Sequence, residues 1–201
     1  MKIVVVTHVE HSFMDGKVYG YGPYIKEMNL WCKHVDEVII AAPVSRKAPS
    51  NIDLAYKHGN LILVSIPAVS LTSISESFRT LFLLPVIQWK IFNLLRKADH
   101  IHLRCPGNIG LIGGTLQVFF PKKTKTAKYA GNWDSNSKQP MSYRFQKWLL
   151  SNTFFTKNMQ VLVYGDWPGQ SKNIKPFFTA TYPKSKQSDH TLKHVIASFR
   201  F

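Results

Sequence analysis

Short polar turns in this 201-residue chain gather the residue types that can do chemistry. The apolar run Ile3-Val4-Val5-Val6 ends in Thr7-His8, which puts an imidazole at a strand tip. Arg104 closes a second apolar run and is followed by Pro106, Gly107 and Asn108. A guanidinium there can grip phosphate or carboxylate with two bonds, or close a salt bridge to a neighbouring loop. Gly131-Asn132-Trp133-Asp134 places a carboxylate beside an indole. A sugar ring can stack on Trp133 while Asp134 bonds its hydroxyls or acts as base or electrostatic stabiliser; an Asx turn or helix cap is the alternative for that aspartate. Asp166-Trp167 repeats the pattern. Gly20-Tyr21-Gly22 opens a helix whose free N–H groups can face an anion, or can form a capping turn that holds no ligand.

Those turns need a scaffold. Lys2–Thr7, Glu37–Ala42, Leu61–Ile66, His100–Cys105, Thr126–Ala130 and Gln160–Tyr164 read as strands, and Phe177–Thr181 as a short extended segment. Helices are predicted from Pro23, whose ring suits a first turn, and over Glu76–Lys97, Asn108–Phe120 and Ser142–Phe155. Gly110, Gly113 and Gly114 in the third helix point to close packing on a neighbouring backbone. His8–Gly22 and Ser45–Asn60 read as polar loops. Strands alternating with helices predict an α/β, Rossmann-like, doubly wound fold with a mainly parallel sheet. In such sheets ligands bind beyond the carboxyl ends of the strands, which is where the turns above fall.

Composition narrows the function. Residues 1–76 hold seven Lys/Arg against seven Asp/Glu, and residues 77–201 hold nineteen against four. The whole excess of +15 therefore lies in the second part and points to an anionic partner or a solvated basic surface. No RNA-binding signature accompanies it, so nucleic acid is not expected as a partner. Cys32 and Cys105 form no C-x-x-C pair, and His100 and His102 share a strand face without an evident third ligand, so no metal site is expected. The third glycine of a dinucleotide fingerprint is replaced by Ile25, and Ala41-Ala42-Pro43 stands where an acid would hold a ribose, which argues against an oxidoreductase. Phe78–Ala98 carries Arg79, Gln88, Lys90, Arg96 and Lys97, too polar for a membrane span, and reads as a helix kinked at Pro85.

Taken together and in order, K-I-V-V-V-T-H, Y-G-Y-G-P-Y-I-K-E-M, V-D-E-V-I-I-A-A-P, H-L-R-C-P-G-N-I-G, K-Y-A-G-N-W-D and V-L-V-Y-G-D-W-P resemble bacterial GT-B glycosyltransferases of retaining family four, over residues 1–183. The resemblance implies the N-terminal, acceptor-binding half of a GT-B fold. It also implies transfer from a nucleotide-sugar to a glycan or lipid-linked acceptor in polysaccharide biosynthesis, with no further cofactor. On this resemblance Gly20 and Gly22 lie near the donor phosphates, and Asp134 holds the catalytic position, where the family often has a histidine. His8, Arg104, Asn108, Trp133, Asp166 and Trp167 are expected to contact the acceptor. The family's donor-binding E-x7-E motif is missing, Glu76 being the last glutamate. Residues 184–201 are expected to be a linker and the first strand of a donor domain that a partner chain would complete. The alternative is a non-catalytic glycan- or membrane-binding module, or a remnant. A cytoplasmic location is expected, peripheral on the inner face of an anionic membrane.

Overall fold

The computed structural model describes residues 1–69, 74–134, 137–167 and 169–177, with the helix path alone over 74–79. The expected linker and strand at 184–201 and the end of the Phe177–Thr181 segment lie outside the described residues.

Apolar runs form the centre. Strands β1 (Lys2–Val6), β4 (Glu37–Ala42), β7 (Leu61–Ser65), β8 (His100–Cys105), β9 (Thr124–Tyr129), β10 (Met159–Val163) and β11 (Ile174–Pro176) make one seven-stranded sheet. Its order is β11-β10-β9-β8-β1-β4-β7, and every pairing is parallel. Side chains alternate between the two faces. Ile3, Val5, Val38 and Ile40 pack with Ile25, Met28 and Trp31 of helix α1 (Gly22–Trp31) on one face. Val4, Val6, Ile39 and Leu103 meet α2 (Ile74–Lys97), α3 (Asn108–Leu116) and α4 (Met141–Ser151) on the other. Helices cover both faces, so the fold is α/β, Rossmann-like and doubly wound. The chain winds outward from β1 through β4 to β7, and α2 then returns it to place β8 on the opposite side of β1. The winding direction reverses between β1 and β8, so the crevice beyond their carboxyl ends is the topological switch point.

The two expected loops contain strands. His11–Met14 (β2) and Lys17–Tyr21 (β3) form an antiparallel hairpin, joined by Asp15 and Gly16 at φ 50° and 73°. Asp-Gly is the pair that a two-residue turn with both φ angles positive favours. Val44–Ser45 (β5) and Asp53–Ala55 (β6) extend it to a second sheet, ordered β5-β2-β3-β6. The His11 N–H donates to the Pro43 carbonyl at 2.9 Å, tying this sheet to the chain leaving β4.

Helix boundaries follow local chemistry. α3 lies tight on β8 at Gly110, where a Cβ would run into the Arg104 carbonyl oxygen. Gly113 instead faces the Leu103 and Val6 side chains and Gly114 has room for a Cβ, so the close backbone packing expected of the three glycines holds at Gly110. α4 stops at Ser151, before the expected Phe155. The Asn152 side-chain oxygen accepts from the Phe154 and Phe155 N–H groups at 3.0 and 3.3 Å and turns the chain. β11 ends one residue before the segment expected at Phe177–Thr181; the Phe177 N–H still donates to the Val163 carbonyl at 2.7 Å, and its side chain is buried on the α1 side of the sheet. Among the described residues no helix is long and apolar enough to cross a membrane.

Candidate functional site

An open cavity of about 280 Å³ lies at the switch point, lined by His8, Pro43, Val69, Gly107, Asn108 and Tyr143 among others. His8 caps β1, and Gly107 and Asn108 begin α3 directly after β8. Gly107 has φ 152°, and a Cβ there would stand 2.8 Å from His8 Nδ1. Glycine is what lets the imidazole rest against this turn. Gln146 of α4 braces the same turn from behind: it accepts from the Gly107 N–H and donates to the Gly107 carbonyl, both at 3.4 Å. Gln146 is buried, and its polar side chain sits on the same inward helix face as Leu149 and Leu150. Asn108 Nδ2 donates to the Val69 carbonyl at 3.1 Å, which fixes the amide at the rim.

Among the described residues no Asp, Glu, Lys or Arg lines the cavity. His8 is exposed at its rim, and partial desolvation first, then the nearby Arg104 charge, lowers its pKa below the ordinary 6.5, against a hydrogen bond to the Arg104 backbone. A neutral imidazole can accept a proton or a hydrogen bond from a hydroxyl. The amide of Asn108, the phenol of Tyr143 and the positive end of α3 add donors and acceptors without adding a carboxylate. This set suits a hydroxyl-rich or phosphate-bearing ligand.

The other expected residues are placed elsewhere. Arg104 turns to the opposite face of the sheet, where its Nη1 lies 3.2 Å from Oε2 of Glu27 on α1. Its guanidinium carbon is 5.3 Å above the Tyr24 ring. Lys128 of β9 reaches the same Glu27 oxygen at 2.8 Å. The salt-bridge alternative for Arg104 therefore holds, with a helix as partner rather than a loop. Lys128 is buried and its pKa is pushed down to about 8 by desolvation, against the attraction of Glu27.

Trp133, expected as an open stacking platform, is only 4% exposed. Its ring meets Tyr129 edge-on at 5.0 Å, and its N–H donates to Gln170. The indole fills core volume below the turn, and its face is not offered to a ligand. Asp134 closes an Asx turn made by Asn132, whose Oδ1 accepts from the Asp134 N–H at 2.9 Å, while Lys147 Nζ donates to the Asp134 carbonyl at 2.8 Å. Trp167 is tied by its N–H to the Tyr164 carbonyl and packs on the core, while Asp166 is exposed. None of Trp133, Asp134, Asp166 or Trp167 is among the residues lining the cavity.

The glycine loop is also corrected. Gly20 is a β3 residue paired with His11, so it is sheet rather than open loop. The Gly22 N–H already donates to the Ile52 carbonyl at 3.0 Å, and a Cβ on Gly22 would come within 2.5 Å of that oxygen. Gly22 is there for the close approach of β6's leading residue, and its N–H is not free for a phosphate.

Of the residues singled out in the sequence, His8 and Asn108 line the cavity; Tyr143, which also lines it, and Gln146, which braces its turn, are not among those singled out. A glutamine spaced three and four residues from two inward leucines is the one signal that was open to reading. His100 Nε2 and His102 Nδ1 both lie within hydrogen-bond distance of Thr126 Oγ1, at 2.9 and 2.8 Å, well inside the α1 face. Among the described residues no group of three His, Cys, Asp or Glu could hold a metal ion. No protein-family model matches the chain, and no curated protein matches it.

Proposed function

We propose that this chain is the acceptor-holding half of a retaining GT-B glycosyltransferase. It would receive a sugar from a nucleotide-sugar onto a glycan or lipid-linked acceptor, in polysaccharide biosynthesis at the inner membrane face. The observation that carries this reading is the cavity at the switch point, where His8, Asn108, Tyr143 and the start of α3 converge without a carboxylate. In this reading the acceptor hydroxyl bonds to the neutral His8 and the Asn108 amide orients the acceptor ring. The donor and its leaving diphosphate belong to the other half of the enzyme, because the Gly22 N–H is engaged with Ile52.

The test is transfer of radiolabelled sugar from a panel of nucleotide-sugars to membrane extract. The chain is assayed with and without the product of the adjacent reading frame. Transfer is expected in the presence of a donor-binding half, and His8→Ala should lower it by about 10²-fold, the scale of one positioned acid–base group. Transfer that His8→Ala leaves unchanged would reject the site. No transfer under either condition would favour a binding module without catalysis.

A further inference from the structure

Helix α4 carries apolar side chains on the side away from the core. Leu149 and Leu150 point inward, whereas Met141, Phe145 and Trp148, at helical spacing i, i+4 and i+7, are 82%, 46% and 54% exposed. The row continues past the helix end: Phe145 stacks on Trp148 at 5.5 Å, Trp148 meets Phe155 at 5.9 Å, and Phe155 meets Phe154 at 5.3 Å. Phe154 is 70% exposed, with the Lys157 ammonium 5.4 Å from its ring centroid. Arg144 and Lys138 are also exposed beside the row. The segment 135–165 has four Lys/Arg and no Asp/Glu, and the Asp134 that precedes it lies beside Lys147, whose ammonium donates to the Trp133 and Asp134 carbonyls.

We infer that this ring row is a docking surface for an anionic lipid bilayer, with α4 lying in the plane of the interface. Exposed indole and phenyl rings flanked by cations match the polar–apolar boundary of a membrane, where aromatic rings sit at headgroup depth and Lys/Arg meet the phosphates. The charge pattern selects this occupant over a second copy or a protein partner. The centres of protein interfaces are depleted of charge, whereas here Arg144 and Lys157 stand among the rings and the row itself carries no acid to pair them across a twofold contact. The inference gives a surface to the membrane-face location in the proposed function, but it rests on these residues alone. Vesicle binding needs no transfer, so either reading can fail without the other.

The experiment is flotation of the purified chain with vesicles of phosphatidylcholine, and of phosphatidylcholine mixed with phosphatidylglycerol, at low and high salt. Two variants are compared, F145S/W148S/F154S and R144E/K157E, each checked for native circular dichroism. All five positions are exposed, so neither variant opens the core. Binding to the anionic vesicles is expected, weakened by salt and by at least about tenfold in each variant. Absence of binding by the native chain, or binding by either variant as strong as that of the native chain, would overturn the inference. So would concentration-dependent self-association in sedimentation velocity without lipid that the triple variant abolishes, together with no vesicle binding.

Discussion

Glu27 carries two cations at once, the partly buried Arg104 at 3.2 Å and the buried Lys128 at 2.8 Å. Removing it leaves both charges in a low-dielectric site without a counter-ion. Glu27→Ala is expected to cost about 3–5 kcal/mol in urea unfolding, and Glu27→Ala combined with Lys128→Met should recover part of that loss. An equal loss in single and double variants would show that the triad is not coupled. The same cluster explains part of the basic excess in the second half of the chain. Lys128 faces Glu27, Lys125 is buried and donates to the Phe120 carbonyl after α3, and Lys123 donates to the Arg96 and Ala98 carbonyls at the end of α2. These cations serve carbonyls and a carboxylate inside the protein, and only the exposed remainder is left for an anionic partner. The strand-end position of Arg104 was readable in the sequence. Its partner was not, because Glu27 is 77 positions away and follows Lys26 like any solvated helix residue.

Strands that are continuous apolar runs were legible, whereas β9, buried but rich in Thr and Lys, starts two residues before its expected first residue. β1, β4 and β8 are apolar runs buried on both faces, and their boundaries fall within a residue of those the sequence predicts. β2, β3, β5 and β6 have two to five residues each and are partly exposed, too short for alternation to register, although Asp15-Gly16 was a hairpin signal in plain view. The periodicity of α4 was read correctly as helix but not by face, since apolar side chains lie on both its inner and outer sides. The hairpin changes what Gly22 is for. Gly22→Ala would push a Cβ to 2.5 Å from the Ile52 oxygen, a backbone atom that cannot swing aside like a side-chain end. A loss of about 1–3 kcal/mol in thermal or urea unfolding is expected, with nucleotide-sugar affinity per folded molecule unchanged. Unchanged stability with weakened nucleotide-sugar binding would restore the phosphate-loop reading.

At the scale of the whole molecule, alternation of strand and helix was enough to predict a doubly wound sheet, and the reversal between β1 and β8 then located the cavity that holds His8 and Asn108. What the pattern did not show is how much polar chemistry the sheet buries on its α1 side. His100, His102 and Thr126 lie there in mutual hydrogen-bond reach, and His11 is enclosed nearby against Tyr56. Burial lowers the pKa of His11 and of His100 from 6.5 to about 4, and holds His102 well below 6.5, aided by His100, Arg104 and Lys128. The sign follows from linkage. On acidification the unfolded chain binds protons at these positions from 6.5 downward, while the folded chain does not until near 4. Their contribution to stability is complete above 6.5 and is lost as pH falls toward 4. Each fully shifted histidine contributes a slope of about 1.4 kcal/mol per pH unit across that window. Urea unfolding at pH 7, 6 and 5 should show a steep fall that exceeds one histidine's slope, and His100→Asn should flatten it by about one histidine's share. A stability profile flat between pH 7 and 5 would mean that these imidazoles open to water, and the polar face under α1 would then have to be solvated rather than sealed.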